Sequence, residues 1–471
     1  MSETHCDMVV VGGGIAGLTA ANRAAQQGLK VVLLERGADE RYLCNTRYSG
    51  GVLHVAFRNI KDRPEELLEV INQATAGKVE PALAKALATT CGRTVDWLRD
   101  EGAKYVRVGQ IVWQQWVLAP PRRIMAGLDW EGRGPDFTLR TLGNNFASRG
   151  GRMFRGTAAT AFMEKDGTCI GVEARDAQGT HQFHARAVVL ADGGFQGNLD
   201  LVRKHICSVP EKLKQRGPST GVGDGLRMAQ GMGAHITDLS YFYGHMLSRD
   251  SFTNDVVWPY PQLDELGVVG MVADTAGNRF ADEGLGGVHL ANAIAKLADP
   301  LTAWAIFDEA IWQGPGTTAR IPANPHLVKA GGTMLKANTL RELAALAGIA
   351  AGPLESTVAE RQRALSAGRL GELDPPRTPS AVEAMPIQQP PFYAVPLCAG
   401  ITYTFGGIAI DEHGRVLRSG GSPISGLYAV GASTGGLEGV QSCGYVGGLV
   451  KGIAFGLRAA EHVAQTLKTT S

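Results

Sequence analysis

The chain lacks several features that would place a protein in a class at once. It has no excess of charge, because 46 lysine and arginine side chains balance 45 acidic ones. A nucleic-acid binder would be expected to carry a basic excess. No apolar run reaches the ~18 residues of a membrane span, and the N-terminal residues do not follow the pattern of a signal peptide. These absences predict a cytoplasmic globular protein with no nucleic-acid partner and no membrane span.

The seven cysteines include no C-x-x-C pair, and their number is odd. Structural zinc, iron–sulfur ligation and a thioredoxin-like redox pair are therefore not expected, and no metal site is predicted. What the chain has in excess is glycine, with 62 residues among 471, nearly twice the usual share of ~7%. These glycines gather at turns, where the backbone must approach another group closely.

The first glycine-rich turn carries the pattern of a dinucleotide-binding site. A short apolar strand at 8–11 leads into the G-x-G-x-x-G run at 12–17. An alanine-rich helix over 18–27 follows, and a second apolar strand at 30–34 ends in Glu35. Strand, glycine turn, helix, strand and an acid ~20 residues further on make up the complete fingerprint.

Each residue type in this fingerprint has a physical role. Gly12 permits the tight turn, Gly14 lets the backbone approach a pyrophosphate, and Gly17 lets the helix pack closely on the strand. The N-terminus of the helix faces the phosphates. The carboxylate of Glu35 is expected to accept hydrogen bonds from ribose hydroxyls.

Two later glycine-rich segments favour FAD over NAD as the dinucleotide. One is AVVLADGGF at 187–195, a buried strand that ends in a glycine turn. The other is GLYAVGASTGG at 426–436, which leads into a C-terminal helix. A site assembled from both ends of the chain suits a large, permanently held FAD better than an exchangeable NAD.

Together these segments resemble the FAD-dependent flavoproteins of the fumarate reductase/succinate dehydrogenase superfamily. Tricarballylate dehydrogenase and the 3-ketosteroid dehydrogenases are the members that the chain resembles most. The resemblance covers essentially the whole chain. It also rests on NTRYSGG at 45–51, STGVGDG at 219–225, GNRFADE at 277–283 and PFYAVPL at 391–397.

The resemblance implies an α/β fold in which an inserted α+β cap domain divides a Rossmann-like FAD-binding domain. We expect the first part of the FAD-binding domain at 1–235, the cap at 236–378 and the second part at 379–471. The proline-rich segment at 374–392 is predicted to be the return linker. Residues 339–365 are predicted to form two amphipathic helices separated at 348–353.

The resemblance also implies how FAD is held. No histidine stands at 44–47, the loop that carries the flavin-linked histidine in some relatives, so FAD is expected to be non-covalent, with Cys44 as the alternative point of linkage. A C-terminal helix beginning near 445–448 is expected to direct its positive end at the flavin. The residues predicted to bind FAD are Gly12, Gly14, Ile15, Ala16, Gly17, Glu35, Arg36, Asn45, Thr46, Arg47, Ser49, Gly50, Gly51, Ala158, Ala191, Asp192, Gly193, Asn198, Gly223, Asp224, Gly431, Ala432, Gly447, Gly448 and Leu449.

Three positions distinguish the chain from fumarate reductases, which hold two carboxylates with histidine and arginine side chains. Thr402 stands in place of the carboxylate-binding histidine, and Ser442 in place of a carboxylate-binding arginine. Trp312 stands in place of the proton-donating arginine. An unmatched buried dicarboxylate would be unfavourable. A monocarboxylate, a tricarboxylate bound differently or a cyclic ketone is therefore expected instead of fumarate or succinate.

The same resemblance implies candidate residues for catalysis and substrate binding. Tyr445, in Gly-Tyr-Val-Gly at 444–447, matches the catalytic tyrosine of 3-ketosteroid dehydrogenases and is the first candidate acid/base, with a packing role as an equal alternative. Tyr403, His245 and Glu283 are further catalytic candidates, each with a structural alternative. The candidate substrate-binding residues are Thr402, Ser442 and Arg122, and a solvated surface position is the alternative for Arg122.

The implied activity is that of an FAD-dependent oxidoreductase acting on a C–C bond next to a carboxylate or carbonyl. The substrate would be a small organic acid or cyclic ketone, with hydride transfer to or from flavin N5 and a tyrosine as acid/base. Two alternatives remain: a non-catalytic or electron-transferring FAD subunit, and, less favoured, a flavin monooxygenase. The sequence holds no haem or iron–sulfur segment. The expected electron acceptor is therefore a separate quinone, electron-transfer protein or oxygen.

Overall fold

Two β-sheets organise the chain. The computed structural model describes residues 2–120, 130–319, 321–439 and 442–469. The strands are β1 Ser2–Val11, β2 Val31–Glu35, β3 His54–Val55, β4 Arg58–Asn59, β5 Lys104–Val106, β6 Val117–Ala119, β7 Arg152–Arg155, β8 Ala158–Lys165, β9 Thr168–Asp176, β10 Gly179–Leu190, β11 Lys214–Gln215, β12 Phe242–Ser248, β13 Met271–Ala273, β14 Trp304–Asp308, β15 Leu335–Ala337, β16 Phe392–Thr404, β17 Arg415–Leu417 and β18 Pro423–Ala429. The helices are α1 Ile15–Gln26, α2 Asn45–Tyr48, α3 Pro64–Ala74, α4 Pro81–Asp100, α5 Gly134–Ser148, α6 Leu199–His205, α7 Asp224–Gly231, α8 Asp264–Val269, α9 Gly287–Ala295, α10 Glu309–Gln313, α11 Ala323–Lys329, α12 Leu340–Ala347, α13 Ala351–Ser366 and α14 Gly448–Thr469.

The first sheet has the strand order β17-β18-β10-β1-β2-β7, with β9 and β8 added beside β10. Its centre is parallel, because β1 pairs in parallel with both β10 and β2, and β10 pairs in parallel with β18. The β2 strand is buried along its whole length, as expected for a parallel strand covered on both faces. The sheet therefore joins the N-terminal half of the chain to its C-terminal end.

The second sheet is built around the long strand β16. That strand pairs with β12 and β14 in antiparallel fashion and with β11 in parallel, and β13 extends the sheet beyond β14. In register, Tyr243 of β12 lies opposite Tyr403 of β16, next to a β-bulge at 243–244. This pairing brings the ends of β12 and β16 to the same place, although the two strands lie far apart in the sequence.

Helices cover the first sheet and share its core. Helix α1 packs against both α14 and α5, and α14 also packs against α4. The apolar face of α14 is buried, and it includes Val450, Ile453, Leu457 and Val463. No helix among the described residues is both long and apolar enough to cross a bilayer.

The predicted fold class is confirmed, with differences at element boundaries. Helix α1 begins at Ile15, three residues earlier than predicted, because the last residues of the glycine motif form its first turn. Helices α12 and α13 are separated at Gly348, which has a left-handed conformation, as the sequence predicted. The second sheet takes strands from Lys214 to Thr404, whereas the cap boundaries at 236 and 378 stay predictions.

Candidate active site

A cavity lies at the carboxyl ends of the central parallel strands, where α/β folds bind ligands. It contains about 1390 Å³ of empty space, part of it open to solvent. The residues predicted to bind FAD that line it are Gly12, Gly14, Ile15, Ala16, Glu35, Arg36, Asn45, Thr46, Ser49, Ala158, Ala191, Asp192, Gly193, Asp224, Gly431, Ala432, Gly448 and Leu449. Segments from both ends of the chain thus form one cavity, as the two later glycine-rich motifs predicted.

Close packing at the first turn explains its glycines. Gly12 has φ of +106°, and a Cβ there would lie 2.5 Å from the carbonyl oxygen of Ala191. A Cβ on Gly17 would lie 1.9 Å from the carbonyl oxygen of Gly12. At Gly14, by contrast, the nearest atom to a Cβ is Thr46 Oγ1 at 3.6 Å, on the cavity side. Helix α1 therefore begins directly at the cavity, with glycine instead of a capping side chain at its N-cap.

Glu35 fixes the glycine turn. Its Oε2 accepts from the Gly13 N–H at 2.8 Å, and its Oε1 accepts from the Gly37 N–H at 2.7 Å. Burial raises the pKa of this carboxyl, and the two backbone donors partly oppose that shift. A carboxylate oxygen has lone pairs left after one such bond, so Glu35 can still accept from a ribose hydroxyl.

Asp192 joins three of the glycine-rich segments. It accepts from the Gly225 N–H at 2.8 Å and from Ser433 Oγ at 3.1 Å, and Ser433 Oγ in turn accepts from the Gly193 N–H at 3.0 Å. Burial raises the pKa of Asp192. This side chain therefore holds the cavity wall together at the point where the two halves of the sequence meet.

Seven residues that the sequence predicted to bind FAD do not line the cavity: Gly17, Arg47, Gly50, Gly51, Asn198, Gly223 and Gly447. Some of them support its walls. Arg47 is buried in an ion pair with Asp136 and lies over the ring of Tyr42, 4.9 Å from its centroid. Asn198 caps helix α6 by accepting from two backbone N–H groups. The assignment of individual residues to FAD stays a prediction.

Two buried oxygen atoms in the cavity wall fit a ligand that carries hydrogen-bond donors. Asn45 Oδ1 and Gln196 Oε1 have no partner among the described residues, and both side chains line the cavity. An unpaired buried acceptor is unfavourable. FAD offers hydroxyl and ring N–H donors, so the chemistry of the lining fits this group as well as its glycine cradle does.

Three tyrosines meet at one end of the cavity. Tyr243, Tyr403 and Tyr445 all line it. The rings of Tyr243 and Tyr445 are stacked, with centroids 4.0 Å apart and planes 16° from parallel, and the rings of Tyr243 and Tyr403 are 5.4 Å apart. Tyr403 and Tyr445 were predicted, but Tyr243 was missed. Only its position in YFYGH, two residues before the candidate His245, could have pointed to it.

Tyr243 is the end of a buried hydrogen-bonded chain. Its hydroxyl lies 2.9 Å from His245 Nε2, and His245 Nδ1 is hydrogen-bonded to Asp264 Oδ2. A carboxylate at Nδ1 favours the tautomer that leaves Nε2 as an acceptor. Burial lowers the pKa of His245, with Asp264 acting in the opposite direction. His245 itself is not among the residues that line the cavity.

The three phenols differ in acidity. Burial raises the pKa of Tyr243 to about 12, and the positive charge of Arg216 opposes the rise. Burial raises the pKa of Tyr403 and of Tyr445 well above the ordinary value, and in both cases the negative charge of Glu438 adds to the effect. Tyr243 is therefore the phenol whose ionised form is best supported.

A buried ion pair supports the other two tyrosines. Glu438 accepts from the Tyr403 hydroxyl at 3.3 Å and from the Val446 N–H at 2.9 Å, which fixes the loop of Tyr445. Lys451 Nζ lies 3.5 Å from Glu438 Oε2 and donates to the Thr434 carbonyl at 2.9 Å. Burial lowers the pKa of Lys451, and Glu438 opposes this shift. Neither charged residue was predicted from the sequence.

The remaining predicted site residues lie in different places. Thr402 lines the cavity beside Tyr403. Ser442 Oγ donates to the Ala74 carbonyl and does not line it. Glu283 is fully buried in an ion pair with Arg279 and is not among the lining residues. Arg122 lies outside the described residues.

Comparisons with known proteins agree with this geometry. Residues 7–445 match the FAD binding domain family. A fumarate reductase (cytochrome) of Shewanella frigidimarina is 27% identical over 481 residues, covering 98% of this chain and 77% of the relative. The 4-oxocyclohexanecarboxylate 2-dehydrogenase of Sinomonas cyclohexanicum is 26% identical over 528 residues, covering 94% and 89%. The crystal structure of 3-ketosteroid delta1-dehydrogenase from Sterolibacterium denitrificans has the same fold, with a TM-score of 0.73 at 20% identity, covering 98% of this chain and 100% of that one.

The chain belongs to the FAD binding domain family, since the match spans nearly its whole length. The predicted membership of the fumarate reductase/succinate dehydrogenase superfamily is confirmed, and the cofactor is FAD. The protein is an FAD-dependent oxidoreductase, a dehydrogenase or a reductase.

Proposed function

We propose that the protein dehydrogenates, or in the reverse direction reduces, a C–C bond next to a carboxylate or carbonyl of a small organic acid or cyclic ketone. The observation that carries this proposal is the meeting of three tyrosine side chains at one end of the FAD cavity, with Tyr243 backed by His245 and Asp264. Relatives that act on such compounds support the substrate class, among them the 4-oxocyclohexanecarboxylate 2-dehydrogenase.

Bound FAD supplies the two-electron acceptor or donor, and the side chains of the protein supply proton transfer and substrate binding. In the dehydrogenation direction, Tyr243 takes a proton from the carbon next to the activating group while His245 Nε2 takes the hydroxyl proton of Tyr243. In the reduction direction both transfers run backwards. General acid–base catalysis of this kind contributes about 10²–10⁴-fold to a rate.

Tyr243 suits this role better than Tyr445, the residue that the sequence favoured. Burial raises the pKa of Tyr243 to about 12, and the positive charge of Arg216 opposes this rise. The Tyr243 hydroxyl also has His245 Nε2 as an acceptor at 2.9 Å. Tyr445 stacks on Tyr243, and its pKa is raised by burial, by Tyr243 and by the negative charge of Glu438. We assign to Tyr445 the role of a neutral hydrogen-bond donor that orients the substrate. Tyr403, whose hydroxyl already donates to Glu438, stays neutral and packs beside it.

The positions that distinguish fumarate reductases support a different substrate for this chain. The Thr402 hydroxyl accepts from Arg216 at 2.7 Å, and Ser442 is bonded to the backbone of α3. Trp312 of α10 is buried against Phe307 and Tyr393, which belong to the second sheet. We propose that fumarate and succinate are not substrates. We further propose that FAD is held non-covalently and that reduced FAD passes its electrons to a separate quinone, electron-transfer protein or oxygen.

The test is an anaerobic titration of the purified flavoprotein with saturated organic acids and cyclic ketones. One group of related compounds should bleach the oxidised-flavin absorbance, and succinate should not. The proposal would fail if the protein holds FAD but no saturated compound reduces it, and if, after chemical reduction, no unsaturated counterpart reoxidises it. Such a protein would be an electron-transferring subunit.

A further inference from the structure

One buried arginine beside the tyrosines has no anionic partner. Six arginines are buried in the part of the chain that the structure describes: Arg47, Arg133, Arg216, Arg279, Arg361 and Arg377. Arg47 and Arg279 pair with carboxylates, and Arg133, Arg361 and Arg377 donate to backbone carbonyls. The side chain of Arg216, a residue that is 9% exposed, donates to the Thr402 hydroxyl and lies 6.0 Å from the centroid of the Tyr260 ring, and it has no acidic partner among the described residues.

The free part of this guanidinium has the shape that a carboxylate requires. Arg216 Nη1 donates to Thr402 Oγ1 at 2.7 Å, while its Nε is buried without a partner. Its Nη2 forms no hydrogen bond to a described residue. The Nε and Nη2 donors lie side by side on one edge of the guanidinium, and such an edge binds both oxygens of a carboxylate at once.

The neighbouring acid does not neutralise Arg216. Asp264 is the acidic group whose charge raises the pKa values of Tyr243 and His245, while the charge of Arg216 lowers them. One of its oxygens is bonded to His245 and the other accepts from the Met246 N–H at 2.9 Å. In the described part of the chain, Arg216 and Asp264 form no ion pair with each other. A buried charge without a partner is unfavourable, so the site is built to receive an anion.

The fold places this charge next to the substrate end of the cavity, in contact with the lining residue Thr402. Strand β11 runs parallel to β16, and the Arg216 N–H donates to the Ile401 carbonyl at 2.8 Å, so Arg216 lies beside Thr402. Thr402 lines the cavity next to Tyr403, and Arg216 is close enough to lower the pKa of Tyr243. An anion bound here would lie beside the phenol that transfers the proton.

The other basic side chains in the cavity wall are occupied. Lys451 is paired with Glu438, and Arg36 is paired with Asp224 at 2.7 Å. Arg36 and Lys451, the basic side chains among the described lining residues, thus both have acidic partners. Arg216 lies beside the lining residue Thr402 and is the buried basic group there without an acid among the described residues.

We infer that Arg216 binds a carboxylate of the substrate, so that the substrate is an organic acid and not a neutral ketone. This inference rests on the proposed function, because it assigns the substrate of the same site. It also gives a reason for the positive charge beside Tyr243, since the carboxylate would orient the neighbouring carbon towards the phenol.

The experiment compares an acid with its uncharged ester. The probes are 4-oxocyclohexanecarboxylate, its methyl ester and a wider panel of acid and ester pairs. The dissociation constant is measured anaerobically from the change of the flavin spectrum. In the wild-type holoenzyme an acid should bind at least about thirty-fold more tightly than its ester. Arg216→Met should remove this preference and leave ester binding unchanged, and Arg216→Lys should restore part of it.

A second readout separates binding from a structural role. Arg216→Met removes an unpaired buried charge, so the melting temperature of the protein without probe should not fall, while the increase produced by the acid should be lost. Lys214→Met, which removes a charge on strand β11 two residues before Arg216, is the control and should behave as the wild type does. Equal loss of acid and ester binding in Arg216→Met, or a lower melting temperature with an unchanged acid preference, would overturn the inference.

The outcomes also separate this inference from the proposed function. If panel compounds bleach the flavin but esters or ketones bind as tightly as acids, the proposed function stands and the role of Arg216 is wrong. If no compound binds or exchanges electrons with the flavin, the proposed function fails and the inference fails with it.

Discussion

Replacing Tyr243 by phenylalanine is the sharpest test of the proton-transfer assignment. The change removes the hydroxyl that lies 2.9 Å from His245 Nε2 and keeps the ring that stacks on Tyr445 at 4.0 Å. Because the ring and the lining are retained, flavin content and substrate affinity should stay close to those of the wild type. The reaction then loses its acid/base group, and such a group contributes about 10²–10⁴-fold. That range is about 2.7–5.4 kcal/mol of the barrier at 1.36 kcal/mol for each factor of ten.

The assay is a stopped-flow measurement of flavin reduction under anaerobic conditions, which isolates the chemical half-reaction from the acceptor. Tyr403→Phe is the matched control, because the Tyr403 hydroxyl donates to the Glu438 carboxylate at 3.3 Å and not to the His245 ring, which takes the proton in the proposed step. We expect Tyr403→Phe to lose less than about ten-fold and Tyr243→Phe to lose at least about a hundred-fold. A Tyr243→Phe rate within three-fold of the wild-type rate, with Tyr445→Phe inactive, would return the acid/base role to Tyr445 and refute the electrostatic reasoning.

Three further predictions follow from the same geometry. The rate of flavin reduction should be independent of pH above the ordinary histidine pKa of 6.5 and should fall as the pH drops through the lower pKa of His245, because only the neutral ring accepts a proton; a rate unchanged down to acid pH would contradict this. Gly17→Ala should yield protein without flavin, because the added Cβ would lie 1.9 Å from a backbone oxygen. Gly143→Ala is the control and should keep its flavin, because no atom lies within 4 Å of a Cβ at that position. The measurement is the flavin content of the two purified variants, and a Gly17→Ala protein with full flavin content would contradict the prediction. Glu438→Gln should destabilise the protein by about 3–5 kcal/mol, since Lys451 loses its buried partner, and adding Lys451→Met should recover most of that loss; equal denaturation midpoints for wild type and Glu438→Gln would show that the pair is unimportant.

The pH prediction extends to stability. Burial lowers the pKa of His245 in the folded chain below the value of 6.5 for an exposed histidine. Between the two pKa values the unfolded chain binds the proton and the folded chain does not. This residue therefore favours unfolding as the pH falls below 6.5, and its full contribution to stability is present above that value.

The sequence was most informative where function depends on local backbone. The glycine turn at 12–17, the acid at Glu35 and the segments at 187–195 and 426–436 are each contiguous, and their residue types are dictated by close backbone approach. They predicted the cavity and its cofactor correctly, and most of the residues proposed for FAD line the cavity.

The substrate end was less accessible to sequence reasoning because it is assembled from distant strands. Tyr243 meets Tyr403 through the pairing of β12 with β16, and Arg216 meets Thr402 through the pairing of β11 with β16. Neither register can be read from hydrophobic pattern alone, and the bulge at 243–244 shifts one of them. Arg216 and Lys451 also stand in segments whose other residues look structural, so their charge became meaningful only once their surroundings were known.

The most direct test of the central claim is product analysis after anaerobic flavin reduction. The purified flavoprotein is mixed with a saturated organic acid that bleaches it, and the product is identified by mass spectrometry and NMR. We predict a product two hydrogens lighter, with its new double bond next to the carboxylate or carbonyl. A hydroxylated product, or flavin reduction without any new C–C double bond, would contradict the account.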